Sequence, residues 1–230
     1  FVLPALPALL ALVALLAAPA APADWTAPRP QVRTLDNGLT VAVFIDRRLP
    51  VAQLQLLVPA GSDQEDAHEA GASHLVAAAL TLGTATRGRE TFANEVAEAG
   101  GRFAADASRE YATIGGSFLS SGLDQALELV AEAVREPSLV EEEIEPLRER
   151  VLGTLMRQRT DAVALAETHL PAFALAGSGR GHPAFGVIPS VERLSTAQLR
   201  AFHRRCYRPD RALLAIAGDV DPATVFRLVE

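Results

Sequence analysis

The residues with most chemical meaning lie in Gly71-Ala-Ser-His-Leu-Val-Ala-Ala-Ala-Leu-Thr-Leu-Gly-Thr84. A helix that holds zinc and activates water can read His-x-x-Glu-His, two imidazoles one turn apart with a carboxylate beside the second. Residues at i and i+4 share a helix face, so both imidazoles reach one metal while the Glu at i+3 holds the water. Here His74 fills the first place, and Ala77 and Ala78 stand in the fourth and fifth. An alanine can neither take a proton nor donate an electron pair, so the pattern keeps its frame and loses its chemistry.

Other reactive side chains are sparse. The single cysteine, Cys206, rules out an internal disulfide framework or a multi-cysteine metal site. It ends a helical run, Phe202-His-Arg-Arg-Cys-Tyr207, where a buried small hydrophobe is expected. His68 and Glu69 fall six and five residues before His74, on the wrong helical face to assist it. Nothing in the sequence aims His169, His182 or His203 at His74.

The net charge of -7 and the absence of a basic run argue against a general nucleic-acid binder. Arg200, Arg204, Arg205 and Arg208 read as a solvated helix face. At 230 residues and 49% hydrophobic, the chain can bury one good core or two small ones.

Residues 1–23 read as a secretory signal: Phe1 to Ala18 is apolar, and Ala21-Pro22-Ala23 offers a small-residue cleavage site. Pro4 and Pro7 weaken the alternative, a membrane anchor, so no span is expected in the mature chain. Export to a periplasm or beyond follows, with residues 24–30 as a linker and 31–230 as one domain. The missing Met and basic leader segment, and an end inside a helix at Glu230, point to truncation at both termini.

The elements that must position His74 follow from periodicity. Val32–Asp46 reads as a hairpin turning at Asn37-Gly38, and Val51–Val58 as a third strand. A buried helix runs from His68 or Glu69 to Leu82, and a second spans Glu90–Ala99. Arg102–Ser108 and Glu110–Phe118 form a strand pair. Gly122–Arg135 is amphipathic, with Leu123, Ala126, Leu127, Val130 and Val134 on one stripe. Val140–Ala176 is a long helical stretch interrupted near Pro146 and Pro171, and Gly177–Pro183 is a loop. Ser195 caps a helix to Cys206, Ala212–Ala217 is a strand, and Gly218–Pro222 leads into a last helix. This order predicts an α+β, two-layer sandwich in which helices pack on a mostly antiparallel sheet.

Several ordered pieces are similar to the N-terminal domain of the insulinase/pitrilysin family of zinc metallopeptidases, above all its mitochondrial-processing-peptidase branch and bacterial relatives. They are Leu35-Asp-Asn-Gly-Leu-Thr-Val41, Gly61-Ser62, Gly71-Ala-Ser-His74 with Gly83-Thr84, Gly100-Gly101, Gly181-His-Pro183, Tyr207-Arg-Pro209 and Ala217-Gly-Asp-Val-Asp221. The resemblance covers Val32 to Glu230. It implies a zinc site completed by a Glu about 75–80 residues after the helical motif. That position falls at Thr154, with a two-residue window that leaves Glu149 outside.

The resemblance therefore implies that Ala77 replaces the base, and Ala78 and Thr154 replace two ligands. A complete structural zinc site is worth about 10–16 kcal/mol, so His74 alone retains roughly 3–4 kcal/mol, a Kd near ~1 mM. No catalytic residue and no zinc cofactor are expected, and His74 reads as a structural histidine satisfied by a backbone carbonyl. The resemblance further implies a non-catalytic partner of an active zinc peptidase subunit. Extended peptides would bind on the edge strand Arg102, Phe103, Ala104, Ala105 and Asp106, where a frequent Asn-Ala pair of the family is Ala104-Ala105. The alternatives are an active zinc endopeptidase with displaced ligands and a standalone periplasmic binding or scaffold module.

Overall fold

The computed structural model describes residues 29–66, 68–175 and 179–230. The expected signal segment and most of the linker lie outside the described residues, as does the start of the loop at 177–183. The elements run β1 (Gln31–Thr34), β2 (Thr40–Ile45), β3 (Val51–Val58), α1 (Ala72–Ala79), α2 (Arg89–Glu98), β4 (Arg102–Ala107) and β5 (Ala112–Leu119). Then follow α3 (Leu123–Arg135), α4 (Glu141–Gln158), α5 (Ala162–Ala174), α6 (Ile188–Val191), α7 (Thr196–Cys206), β6 (Leu213–Gly218) and α8 (Pro222–Val229).

The strands form one sheet in the order β1-β2-β6-β3-β5-β4. Every neighbouring pair is antiparallel except β2 with β6. β6 arrives late in the chain yet lies between β2 and β3, so the C-terminal segment belongs to the same folded unit as the start. Strand alternation makes the sheet one-sided. In β3, Ala52, Leu54, Leu56 and Val58 are buried, while Gln53 and Gln55 are exposed. The buried face joins Ile114 and Phe118 of β5 and Ile216 of β6 in a core completed by α1, α3, α4 and α7. This is the expected two-layer α+β sandwich.

The local chemistry explains several boundaries. The first hairpin turns through Leu35–Leu39, not through two residues: Leu35 N donates to Leu39 O, and Asn37 Oδ1 accepts from Leu39 N. Only Gly38 takes a positive φ, 87°, so Asn37 acts through its side chain and not through left-handed backbone. α1 starts at Ala72, later than expected, because Gly71 sits at φ 102°, outside helical geometry. α7 opens with a reciprocal capping box between Ser195 and Gln198.

The expected breaks near Pro146 and Pro171 are not there. Both prolines lie inside helices, and the chain breaks at Arg159–Asp161, where Asp161 caps α5 by accepting from the Val163 and Ala164 amides. Pro146 is exposed. Its missing N–H therefore frees a carbonyl toward water, and the buried face of Ile144, Leu147, Val151 and Leu155 holds the helix together. α5 itself buries none of its residues and exposes Val163, Leu170 and Phe173.

Candidate functional site

Three contacts fix α1, the helix that presents His74. Glu65 is buried, and its carboxylate accepts from the amides of Gly71 (3.1 Å) and Ser73 (2.8 Å) at the first turn. Burial pushes the Glu65 carboxyl up to about 7, against the lowering effect of those hydrogen bonds. Leu75, Val76, Ala77 and Ala79 are fully buried in the core. The segment ending in Phe185-Gly186 lies across the helix start. A Cβ on Gly186, at φ 76°, would come within 2.4 Å of Ala70 O, and one on Gly71 would meet Val191 at 2.8 Å. These two glycines let the backbones touch, and the contact delivers Phe185.

Phe185 packs edge-on against His74, with ring centroids 4.5 Å apart. Nδ1 of His74 lies 3.6 Å from Oδ1 of Asp106 on β4. That is an electrostatic approach beyond hydrogen-bond length. A carboxylate thus stands where a backbone carbonyl was expected as the partner. Burial pushes the His74 imidazole below its ordinary value; Arg150 adds to this and Asp106 opposes it. At neutral pH the ring is mainly neutral.

α1, α4 and the edge strand enclose a pocket of about 310 Å³, lined by His74, Ala78, Ala105, Arg150, Thr154 and Phe185 among others. His74, Ala78 and Thr154, the last 80 positions after the first, meet on one cavity. Ala77 differs. It is fully buried in the core and does not line the pocket. Glu149 is exposed and also lies off the lining. Thr154 Oγ1 donates to Arg150 O at 3.1 Å and accepts from Arg157 Nη2 at 3.0 Å.

A resident zinc does not fit this set. The lining offers one imidazole, two threonine hydroxyls, a guanidinium and hydrocarbon, whereas tetrahedral zinc needs imidazole, thiolate or carboxylate donors. Among the described residues no three His, Cys, Asp or Glu side chains converge. The other histidines are elsewhere: His203 Nε2 meets Val134 O at 2.8 Å, His182 Nδ1 meets Ser62 O at 3.2 Å, and His68 and His169 are exposed. Glu69 is paired with Arg205 at 2.6 Å.

Three of the four arginines read as a solvated helix face are used locally. Arg205 binds Glu69, Arg208 binds Asp210, and Arg200 donates to Leu139 O. Cys206 is buried as expected, and burial pushes its thiol up, away from the reactive thiolate. Sequence reasoning missed Arg150, although it lies one helical turn before Thr154 on the same face. It also missed Phe185, which no local pattern could connect to His74.

β4, the proposed peptide-binding strand, closes one end of the sheet and pairs only with β5 among the described strands. Ala105 lines the pocket, while Arg102, Ala104 and Asp106 are exposed. Pocket and free strand edge are therefore continuous.

Comparisons with known proteins agree with this architecture. Residues 41–186 match the model of the insulinase family (peptidase family M16), and residues 193–230 match that of the peptidase M16 inactive domain. The chain belongs to the insulinase family. It is 33% identical over 201 residues to an uncharacterized zinc protease of Mycobacterium bovis, covering 87% of this chain and 46% of the relative. It is 31% identical to subunit 1 of the bovine (Bos taurus) mitochondrial cytochrome b-c1 complex, covering 89% and 42%. A probable mitochondrial-processing peptidase subunit beta of Arabidopsis thaliana is 28% identical, covering 89% and 39%. The chain thus spans less than half the length of these relatives. A crystal structure of a peptidase M16 inactive domain from Pseudomonas fluorescens superimposes with a TM-score of 0.82 at 25% identity, covering 87% of this chain and 49% of that one.

Proposed function

We propose that this chain is a non-catalytic insulinase-family protein that holds extended peptides along β4 and serves as a partner subunit of an active zinc metallopeptidase. One observation carries the reading. The family fold is kept, while the pocket shared by α1 and α4 presents Ala78, Thr154 and Arg150 around a single imidazole. Without a base at Ala77 and without metal ligands, there is nothing to activate a water for hydrolysis. What remains is the edge of β4, unpaired among the described strands, to which a peptide can add a strand through main-chain hydrogen bonds.

The partner role draws support from two further features. α5 exposes Val163, Leu170 and Phe173, an apolar surface of the kind that marks interfaces. Two of the relatives are named as subunits, one of the cytochrome b-c1 complex and one of a mitochondrial processing peptidase. Export rests on the apolar run Phe1–Ala18 and the small residues at 21–23. The mitochondrial relatives are named for a different compartment. No helix among the described residues is long and apolar enough to cross a membrane.

The test is binding without cleavage. A fluorescein-labelled ten-residue peptide is titrated with the protein, followed by anisotropy, and recovered for mass spectrometry. Saturable binding, intact peptide and loss of binding on N-methylation of alternate peptide amides support the reading. Cleavage of the peptide, or equal binding of the N-methylated form, contradicts it.

A further inference from the structure

The pocket beside β4 is more than the remains of a metal site, because its polar groups have changed in kind. A zinc pocket of this family would present carboxylates and imidazoles. Here the polar lining consists of His74, Thr81, Arg150 and Thr154, and no carboxylate lines the cavity. The Thr81 and Thr154 hydroxyls donate to the Ala78 and Arg150 carbonyls, which leaves Arg150 as the donor with a permanent positive charge. Arg157 stands close by, its Nη2 donating to Thr154 Oγ1.

Arg150 is also available. Its neighbour Arg148 is engaged by Glu141 and Glu145. Arg150 and Arg157 have no carboxylate partner among the described residues. Asp106 lies outside the lining with its side chain 81% exposed; its carboxylate approaches His74 and forms no ion pair with Arg150. The walls between the donors are apolar, supplied chiefly by Ala105, Leu147, Val151 and Phe185. A cationic donor above hydrocarbon walls fits a side chain with a methylene stem and an anionic end.

We infer that this pocket is a specificity site for an acidic peptide side chain, glutamate best, held by the Arg150 guanidinium. The inference rests on the peptide-binding reading above. Register supports it: Ala105 belongs to β4 and to the pocket wall at once, so a strand added beside β4 sends every second side chain toward the cavity. A glutamate at that one position meets Arg150; its neighbours in the peptide point away.

The experiment compares three fluorescein-labelled ten-residue peptides, identical except for Glu, Gln or Lys at one central position, on the 230-residue protein and on Arg150→Ala and Arg150→Glu. Arg150 is exposed, so circular dichroism should show both variants folded. The Glu peptide is expected to bind the wild type roughly tenfold tighter than the Gln peptide, the magnitude of one partly screened charge-assisted contact. Arg150→Ala should remove that preference and leave the Gln peptide unchanged, and Arg150→Glu should turn the preference toward Lys. Equal binding of all three peptides by the wild type overturns the acidic specificity and leaves the strand-edge reading intact. Failure of every peptide to bind overturns both.

Discussion

Nδ1 of His74 and Oδ1 of Asp106 lie 3.6 Å apart, bringing the first helix up to β4, the edge strand among the described strands. In an active arrangement this imidazole would be committed to a metal. Here it packs on Phe185 and faces a carboxylate across more than a hydrogen-bond length. The ring packs between helix and edge.

His74→Ala should therefore behave as a packing variant. Losing the edge-on ring contact should lower unfolding stability by about 1–2 kcal/mol, read as a shift of the urea midpoint. Bound metal should not change. A large loss of metal on this substitution would contradict the assignment.

The meeting of Ala78 and Thr154 on the His74 pocket can be tested by restoring donors. In Ala78→His combined with Thr154→Glu, two new ligands would join His74. Three of four ligand shares of a full site correspond to a Kd of about 1 µM or tighter for zinc, against about 1 mM for the wild type. Isothermal titration with zinc checks this. Adding Ala77→Glu should destabilise the fold, because that position is fully buried in the core and offers no partner for a carboxylate.

Glu65 should make stability depend on pH. Its folded pKa of about 7 lies above the ordinary 4.5, so the folded state holds the extra proton between those values. The contribution is complete below about pH 4.5 and is lost as pH rises through 7. Wild-type stability should fall by about 3 kcal/mol more than that of Glu65→Gln between pH 4.5 and 8. Urea unfolding at a series of pH values measures the difference, and parallel curves for the two proteins would refute it.

Gly186→Ala should loosen the segment that sets Phe185 on His74. The new methyl would strike the Ala70 carbonyl at 2.4 Å from a backbone already at φ 76°. A loss of about 2 kcal/mol or more is expected. Faster hydrogen exchange in residues 183–187 should accompany it.

Much of this arrangement was legible wherever a local rule governs it. Leu123, Ala126, Leu127 and Val130 of the α3 stripe are buried, Val134 only partly, and Ser195 caps α7 as the sequence implied, with Gln198 completing the box. His74 and Thr154, linked in the sequence by the family resemblance alone, line one pocket between two helices. The break between α4 and α5 was misread because a proline at an exposed site costs one hydrogen bond, which the buried face of α4 outweighs. Phe185 and Asp106 were invisible as neighbours of His74, since backbone contact at Gly71 and Gly186 and strand order bring them there. Arg150 precedes Thr154 by four residues, so the i, i+4 rule that defines the metal motif also sets it on the same helix face.

The measurement closest to the central claim is the zinc content of the protein purified without chelator, by inductively coupled plasma mass spectrometry. With one imidazole left and a dissociation constant near ~1 mM, the chain should carry far less than one zinc per molecule after gel filtration. One tightly held zinc per chain would contradict the account and return the protein to the active peptidases.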